Sequence, residues 1–278
     1  MEGDDRWALA VAGLLDHASP VTVTARDLAQ RIDRLLNVAG HPDYPGAVNG
    51  LQFDSIAPIR GIAAAVDASQ RAIQGAVAAG ANFLLVHHGL FWGGAQPIVG
   101  GLHTRYRQLF EHDMAVYSSH LPLDAHPEFG NNALLARALG LTPSRSFATY
   151  QGVPIGVAGD ADMPTDAMLS VADSFARRHQ GRARASEIPP GHQTRRWAIC
   201  TGAGASTDSL REAEAANIDT LITGEGPHHT AVEAPERRIV VIYAGHYATE
   251  TLGVTALAER IGSETGLPWS FVSAPTGL

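Results

Sequence analysis

The chain repeats itself, and the repeat restricts its architecture more than any other feature. Tyr117-Ser118-Ser119-His120-Leu121-Pro122-Leu123-Asp124 matches Tyr243-Ala244-Gly245-His246-Tyr247-Ala248-Thr249-Glu250, since both octets read Tyr-x-x-His-x-x-x-acid. Upstream of the first octet come an apolar strand (residues 62–66), a helix (69–79) and a second apolar strand (83–86) that ends at His87-His88. The second half follows the same rhythm: Ala205-Ser206 falls on Ala68-Ser69, Ala215-Ala216 on Ala78-Ala79, Ile222 on Leu85 and Gly224-Glu225 on His87-His88. Short apolar runs alternating with helical segments specify βαβ units and therefore parallel strands. Two copies of such a unit predict an α/β protein of two similar lobes related by a pseudo-twofold axis. Ligands of parallel sheets collect beyond the carboxyl ends of the strands, where both halves place His and acidic residues.

The expected layout is an N-terminal extension over 1–23, a first α/β lobe over 24–143, a connecting segment over 144–190 and a second lobe over 191–278. Thr24 is placed to cap a helix running to about Val38, with Leu28, Ile32, Leu35 and Leu36 on one side. The Gly/Pro-rich stretch 40–50 breaks that helix. Within the connecting segment a strand is expected at 153–157 and a helix at 166–178. Residues 1–20 carry Glu2, Asp4 and Asp5 where a secretory leader would carry positive charge, and read as a helical extension. No window approaches about 18 uninterrupted apolar residues, so no membrane span is expected and the cytoplasm is the expected compartment.

Composition removes several classes of chemistry. All twenty basic residues are arginine, so a P-loop, a pyridoxal Schiff base and a lysine nucleophile are excluded for want of the amine. Cys200 is the only cysteine, which rules out an intramolecular disulfide and a thiolate-rich metal site. A net charge of −8 argues against binding a nucleic-acid polymer, which needs clustered cations. The run Gly202-Ala203-Gly204-Ala205-Ser206 resembles a dinucleotide fingerprint only superficially and reads as a strand-to-helix turn capped by Ser206 or Asp208.

What remains is a metal site built from imidazoles and carboxylates. His87-His88 ends a buried strand. His246 and Glu250, like His120 and Asp124, stand four residues apart, and at the start of a helix that spacing puts both side chains on one face. His87, His88, Asp124, His246 and Glu250 form a donor set suited to Zn, Mn, Fe, Co or Ni. Two divalent ions need at least about eight coordination positions, more than five side chains fill, so water or substrate completes them.

The segments Leu85-Val86-His87-His88-Gly89-Leu90-Phe91-Trp92, His120-Leu121-Pro122-Leu123-Asp124-Ala125-His126-Pro127, Gly130-Asn131-Asn132, Thr223-Gly224-Glu225 and Gly245-His246-Tyr247-Ala248-Thr249-Glu250, with Asn49-Gly50-Leu51-Gln52 ahead of them, resemble the Nif-three-like family. Its members are also labelled GTP cyclohydrolase I type 2 homologues. The resemblance runs from about Leu28 to Val272. It implies a two-lobed α/β fold with a dinuclear metal site in the cleft between the lobes, assembled into a ring-shaped homohexamer. The family's ligand positions fall on His87, His88, Asp124, His246 and Glu250, which leaves His120 as a pocket residue.

The expected function is that of a dinuclear divalent-metal-dependent hydrolase, GTP cyclohydrolase-like or acting on another nucleotide or phosphorylated small molecule through a metal-activated water. His120 and Glu225 are the candidate proton-relay residues. The alternative from another class is a metal-delivery or regulatory metal-binding protein, whose open positions pass an ion to a partner.

Overall fold

The computed structural model describes residues 23–278; the helical extension expected over 1–20 lies outside the described residues, as does all of the 1–23 extension but Val23. The strands, in chain order, are β1 (Gly50–Phe53), β2 (Ile62–Asp67), β3 (Phe83–His88), β4 (Ala115–Ser118), β5 (Arg145–Tyr150), β6 (Val153–Pro164), β7 (Arg184–Ala185), β8 (Gln193–Cys200), β9 (Thr220–Thr223), β10 (Val240–Tyr243) and β11 (Trp269–Phe271). They form two sheets, ordered β1-β4-β3-β2-β11 and β5-β6-β8-β9-β10-β7. Each contains three successive parallel strands, β2-β3-β4 in one and β8-β9-β10 in the other. Antiparallel neighbours are β1 in the first sheet and β5, β6 and β7 in the second.

The parallel strands β2, β3, β4, β9 and β10 are buried on both faces, which is why they read as continuous apolar runs. Along β2 and β3, Ile62, Ala64, Phe83 and Leu85 enter one core, while Ala63, Ala65, Leu84 and Val86 enter another on the opposite face. In the second sheet Trp197, Ile199, Ile222 and Ile242 face one way and Ala198, Leu221 and Val241 the other. Burying a Phe, Leu, Ile or Val side chain contributes roughly 1.5–3 kcal/mol, so a one-residue slip in any central strand would cost several such terms together.

The first helix, Ala25–Leu36, starts as expected: the Thr24 side chain accepts from the Asp27 amide, and the Asp27 carboxylate reaches back to Thr24. It stops at Leu36, before Val38, because Asn37 turns left-handed (φ 50°) and returns its N–H to the last carbonyls. The segment 144–190 supplies β5, β6 and β7 to the second sheet together with the helix Thr165–Arg178. The β6 strand extends from the expected residues 153–157 to Pro164, since its carboxyl half pairs with β8.

Two helices exchange sheets. The helix Asn131–Ala138 follows the first octet yet packs Leu135 and Ala136 against Trp197, Ile199 and Ile222 of the second sheet. The helix Thr251–Thr265 follows the second octet yet packs Val254, Leu257, Ala258 and Ile261 against Ile62, Phe83 and Leu85 of the first. After it the chain adds β11 beside β2. The carboxyl ends of β3, β4, β9 and β10 are thereby brought to a common cleft. No helix among the described residues is long and apolar enough to cross a membrane.

Candidate metal centre

The buried run Phe83–Val86 carries β3 straight into the cleft, where it delivers His87, fully buried, and His88. The His87 Nδ1 lies 2.9 Å from the Ser119 carbonyl, and the His88 Nδ1 lies 3.0 Å from Asp67 Oδ1 at the end of the neighbouring β2. After β4 the chain turns at His120 into the short helix Leu121–Asp124, with Pro122 in its first turn. Asp43 holds that turn: one oxygen lies 2.7 Å from His120 Nδ1, and the other accepts from the Leu121 amide and the Asn49 side chain, both at 2.8 Å. Asp124, at the far end of the helix, accepts through Oδ1 from Asn131 Nδ2 at 2.8 Å.

The second half approaches the cleft in the same manner. Beyond β10, Gly245 adopts φ 94°, a left-handed conformation that a side chain would disfavour, and the chain enters the helix His246–Thr249. His246 Nδ1 lies 2.8 Å from Glu225 Oε1, and Glu250, only 3% exposed, turns inward. Each of the four imidazoles therefore commits Nδ1 to a carbonyl or carboxylate, the usual support behind a metal-ligating histidine, and turns Nε2 to the centre.

The Nε2 atoms of His87, His88 and His246 meet the two carboxylates at ligand-to-ligand spacing. His87 Nε2 is 3.5 Å from both Asp124 Oδ2 and Glu250 Oε1, while Glu250 Oε2 is 3.5 Å from His88 Nε2 and 3.1 Å from His246 Nε2. Two donors about 2.0–2.1 Å from one tetrahedral ion stand about 3.3 Å apart, so these separations fit a shared cation. A second observation agrees with this. His87 Nε2 and Glu250 Oε2 are buried without a hydrogen-bond partner, an arrangement costly for polar atoms unless something else satisfies them. Donor atoms within 4.8 Å of one another group as His88, His246 and Glu250, and also as His87, His88 and His120, so His120 too stands within reach of an ion.

The electrostatics follow from burial and crowding. Burial alone would suppress a charge on His87, but the nearby Asp124 and Glu250 carboxylates raise its pKa to about 10. Burial likewise opposes the charge on His246, yet Glu250 and then Glu225 push it up to about 9. Glu250 is held well below the usual carboxylate range: burial opposes this, and His88, His87 and His246 outweigh it. Cys200 borders the same space, but burial, reinforced by Asp124 and Glu250, pushes its thiol up to about 12, so it stays protonated and is a poor ligand.

Of the five expected metal ligands, His88, His246 and Glu250 come within mutual ligand distance, His87 groups with His88 and His120, and Asp124 stands 3.5 Å from His87 Nε2. Glu225, read from the sequence as a proton relay, lies behind His246 and does not border the cavity. Two supporting residues were not singled out from the sequence. Asp67 is the last residue of an apolar run one strand before His88, a position that carried a signal, and Asp43 lies outside the repeat; Asn131 stood in the Gly130-Asn131-Asn132 segment without a role of its own. In front of the centre opens a cavity of about 640 Å³, bordered by Tyr44, Trp92, His120, Tyr150 and Thr201 among others.

Comparison with known proteins gives a consistent result. The family described as Duf34/NIF3 (NGG1p interacting factor 3) matches residues 23–275. A Deinococcus radiodurans protein described as GTP cyclohydrolase 1 type 2 homolog is 42% identical over 94% of this chain and 99% of its own length. A Halobacterium salinarum protein of the same description is 41% identical over 91% of this chain and 98% of its own. Among solved structures, the protein ybgI, described as of unknown function, superposes with a TM-score of 0.82 at 34% identity, covering 92% of this chain and all of the other. TTHA1606 from Thermus thermophilus does so with a TM-score of 0.76 at 36% identity over the same shares. HcgD from Methanocaldococcus jannaschii, at 23% identity and a TM-score of 0.75 over 91% of this chain and 98% of its own, shares the fold.

Proposed function

The chain belongs to the Duf34/NIF3 family, and from that premise we propose that it is a hydrolase working through two divalent cations held between its two sheets. Glu250 carries this reading, because one of its oxygens faces His87 and the other faces His88 and His246. A buried carboxylate with imidazoles on both oxygens suits a donor to divalent ions of the Zn, Mn, Fe, Co or Ni type. His87, Asp124 and Glu250 would hold one ion, and His88, His246 and Glu250 the other. When bound, the pair supplies Lewis-acid polarisation and a water acidic enough to ionise near neutral pH.

The chain's own groups do the rest. Asp43 accepts the Nδ1–H of His120, which leaves Nε2 on the cavity side able to accept and return a proton during hydrolysis. Asp67 and Glu225 hold His88 and His246 in the tautomer that presents Nε2. The like order of β2-β3-β4 and β8-β9-β10, and the reciprocal helix exchange, support two lobes related by a pseudo-twofold axis. Assembly into a ring-shaped hexamer, which the family resemblance implies, is part of the same proposal.

The test is turnover. Protein reconstituted with Mn²⁺, Zn²⁺ or Fe²⁺ should hydrolyse a member of a panel of nucleotides, phosphoesters and cyclic amides, lose that activity to a chelator and regain it on metal return. A second reading, metal delivery, is supported by the partial exposure of His88 and His246. No turnover across the panel, together with ready iron transfer to an acceptor, would establish delivery and remove the hydrolase reading.

A further inference from the structure

We propose that the cavity before the metal centre takes a planar, uncharged heteroaromatic ring of nucleobase or pterin type, and selects against the phosphorylated forms of such a ring. The proposal rests on the metal-dependent reading of the site and names the substrate class. Its first support is a wall of aromatic side chains. Tyr44 and Tyr150 touch with ring centroids 4.5 Å apart, and Tyr44 stands 6.5 Å from Trp92. Trp92 stands edge-on to His120 at 4.8 Å and to His88 at 5.7 Å, so the wall runs into the imidazoles of the centre. Tyr44 is 47% exposed and Trp92 38%, and both border the cavity. Large aromatics left open beside a concave, partly polar site mark a place where a flat ligand stacks. The wall is built in: a side chain on Gly46 would meet the Trp92 backbone at 3.3 Å, so this glycine lets the Tyr44 loop close against it.

The second support is charge. No arginine among the described residues borders the cavity, and the chain has no lysine, so the cations that ordinarily read phosphate are missing there. The helix Thr207–Ala215 points its N-terminus at the cavity, but Ser206 already accepts from its Ser209 amide and Asp208 sits in its first turn. Around the centre stand five carboxylates, Asp124 and Glu250 as donors and Asp43, Asp67 and Glu225 behind the histidines. They outnumber the four positive charges that two divalent ions would bring. A triphosphate meets net negative charge here; an uncharged ring does not.

The third support is an unmet hydrogen bond. The Thr201 hydroxyl is buried, borders the cavity and has no partner, which suits the polar edge of a heterocycle.

Calorimetric titration of the metal-reconstituted full chain tests this with free purines, pyrimidines and pterins, and with adenosine and guanosine against their 5′-triphosphates. At least one ring compound should bind, and each nucleoside should bind about tenfold or more tightly than its triphosphate. Trp92→Ala and Tyr44→Ala should each weaken ring binding about tenfold, the size of a lost stacking partner, with metal content unchanged, and Trp92→Phe should restore most of it. Absence of binding by every ring compound, tighter binding of the triphosphates, or an unaltered Trp92→Ala affinity overturns the proposal. Ring binding with no turnover across the panel and ready iron transfer would sink the hydrolase reading alone, and phosphoester turnover without ring binding would sink this proposal alone.

Discussion

Asn131 accepts the Gly253 N–H through its side-chain oxygen at 2.7 Å, at the point where the two exchanged helices cross. Its amide nitrogen donates to Asp124 Oδ1 at 2.8 Å. One buried side chain thus joins a candidate metal ligand from the first half to the backbone of the second. Gly253 is needed there because a Cβ would stand 2.7 Å from that same oxygen.

Replacing Asn131 with Ala should strip the buried Gly253 N–H of its acceptor and leave Asp124 unsupported. An unsatisfied buried group costs about 1–3 kcal/mol, and in a chain of this size each kcal/mol lowers Tm by roughly 2–4 °C. Thermal unfolding followed by circular dichroism would register the loss, and an unchanged Tm would rule out a structural part for this contact.

Metal content should separate the ligands by role. Glu250→Ala removes a donor from both candidate ions, whereas His87→Ala removes one from a single ion. Elemental analysis after gel filtration should therefore find Glu250→Ala depleted of nearly all metal and His87→Ala retaining about one equivalent, both still folded. Two full equivalents in both variants would eliminate this ligand assignment.

Gly202 controls Glu250 from the side. It adopts φ 62°, and a Cβ there would collide with Glu250 Oε1. Gly202→Ala should therefore weaken metal binding by at least about tenfold, as displacement of a supporting group does, while costing about 1–2 kcal/mol for the left-handed backbone. The check is a competition titration against a chromogenic chelator; wild-type affinity would show that the loop yields without moving the carboxylate.

The pH response should reverse with metal. In the chelated protein His87 and His246 have pKa values raised to about 10 and about 9, above the ordinary imidazole value of about 6.5. The folded state binds these protons more tightly than the unfolded chain, so their stabilisation is complete below about pH 6.5 and is lost as pH rises through about 9 to 10. Glu250, held below its ordinary value, contributes above about pH 4.5 and loses its contribution as pH falls. Cations require unprotonated imidazoles, so metal-loaded protein should gain stability from about pH 5 to 8 while the chelated form declines above about pH 6.5. Parallel Tm measurements would expose a contrary trend.

The repeat made much of this site legible, because a strand-end histidine and a four-residue His-acid spacing are local patterns that survive in a linear sequence. His87-His88 after Phe83–Val86, and Glu250 after His246, are of this kind. Asp43 was hidden because its loop is irregular and the contact spans from residue 43 to residue 120. The helix exchange was hidden too: periodicity in 131–138 and 251–265 reveals an apolar face but not which sheet will cover it. Thr165–Arg178 was found for its own periodicity, whereas β7, two residues long, offers no pattern.

The exchanged helices make the two halves interlocking parts. A proteolytic nick at the β5–β6 turn, Gln151-Gly152, would cut the backbone but free neither fragment, since each clasps a helix of the other against its own sheet. Removing either half would strip the other's sheet of the helix that covers it and take away part of the donor set, so a minimal version should need both.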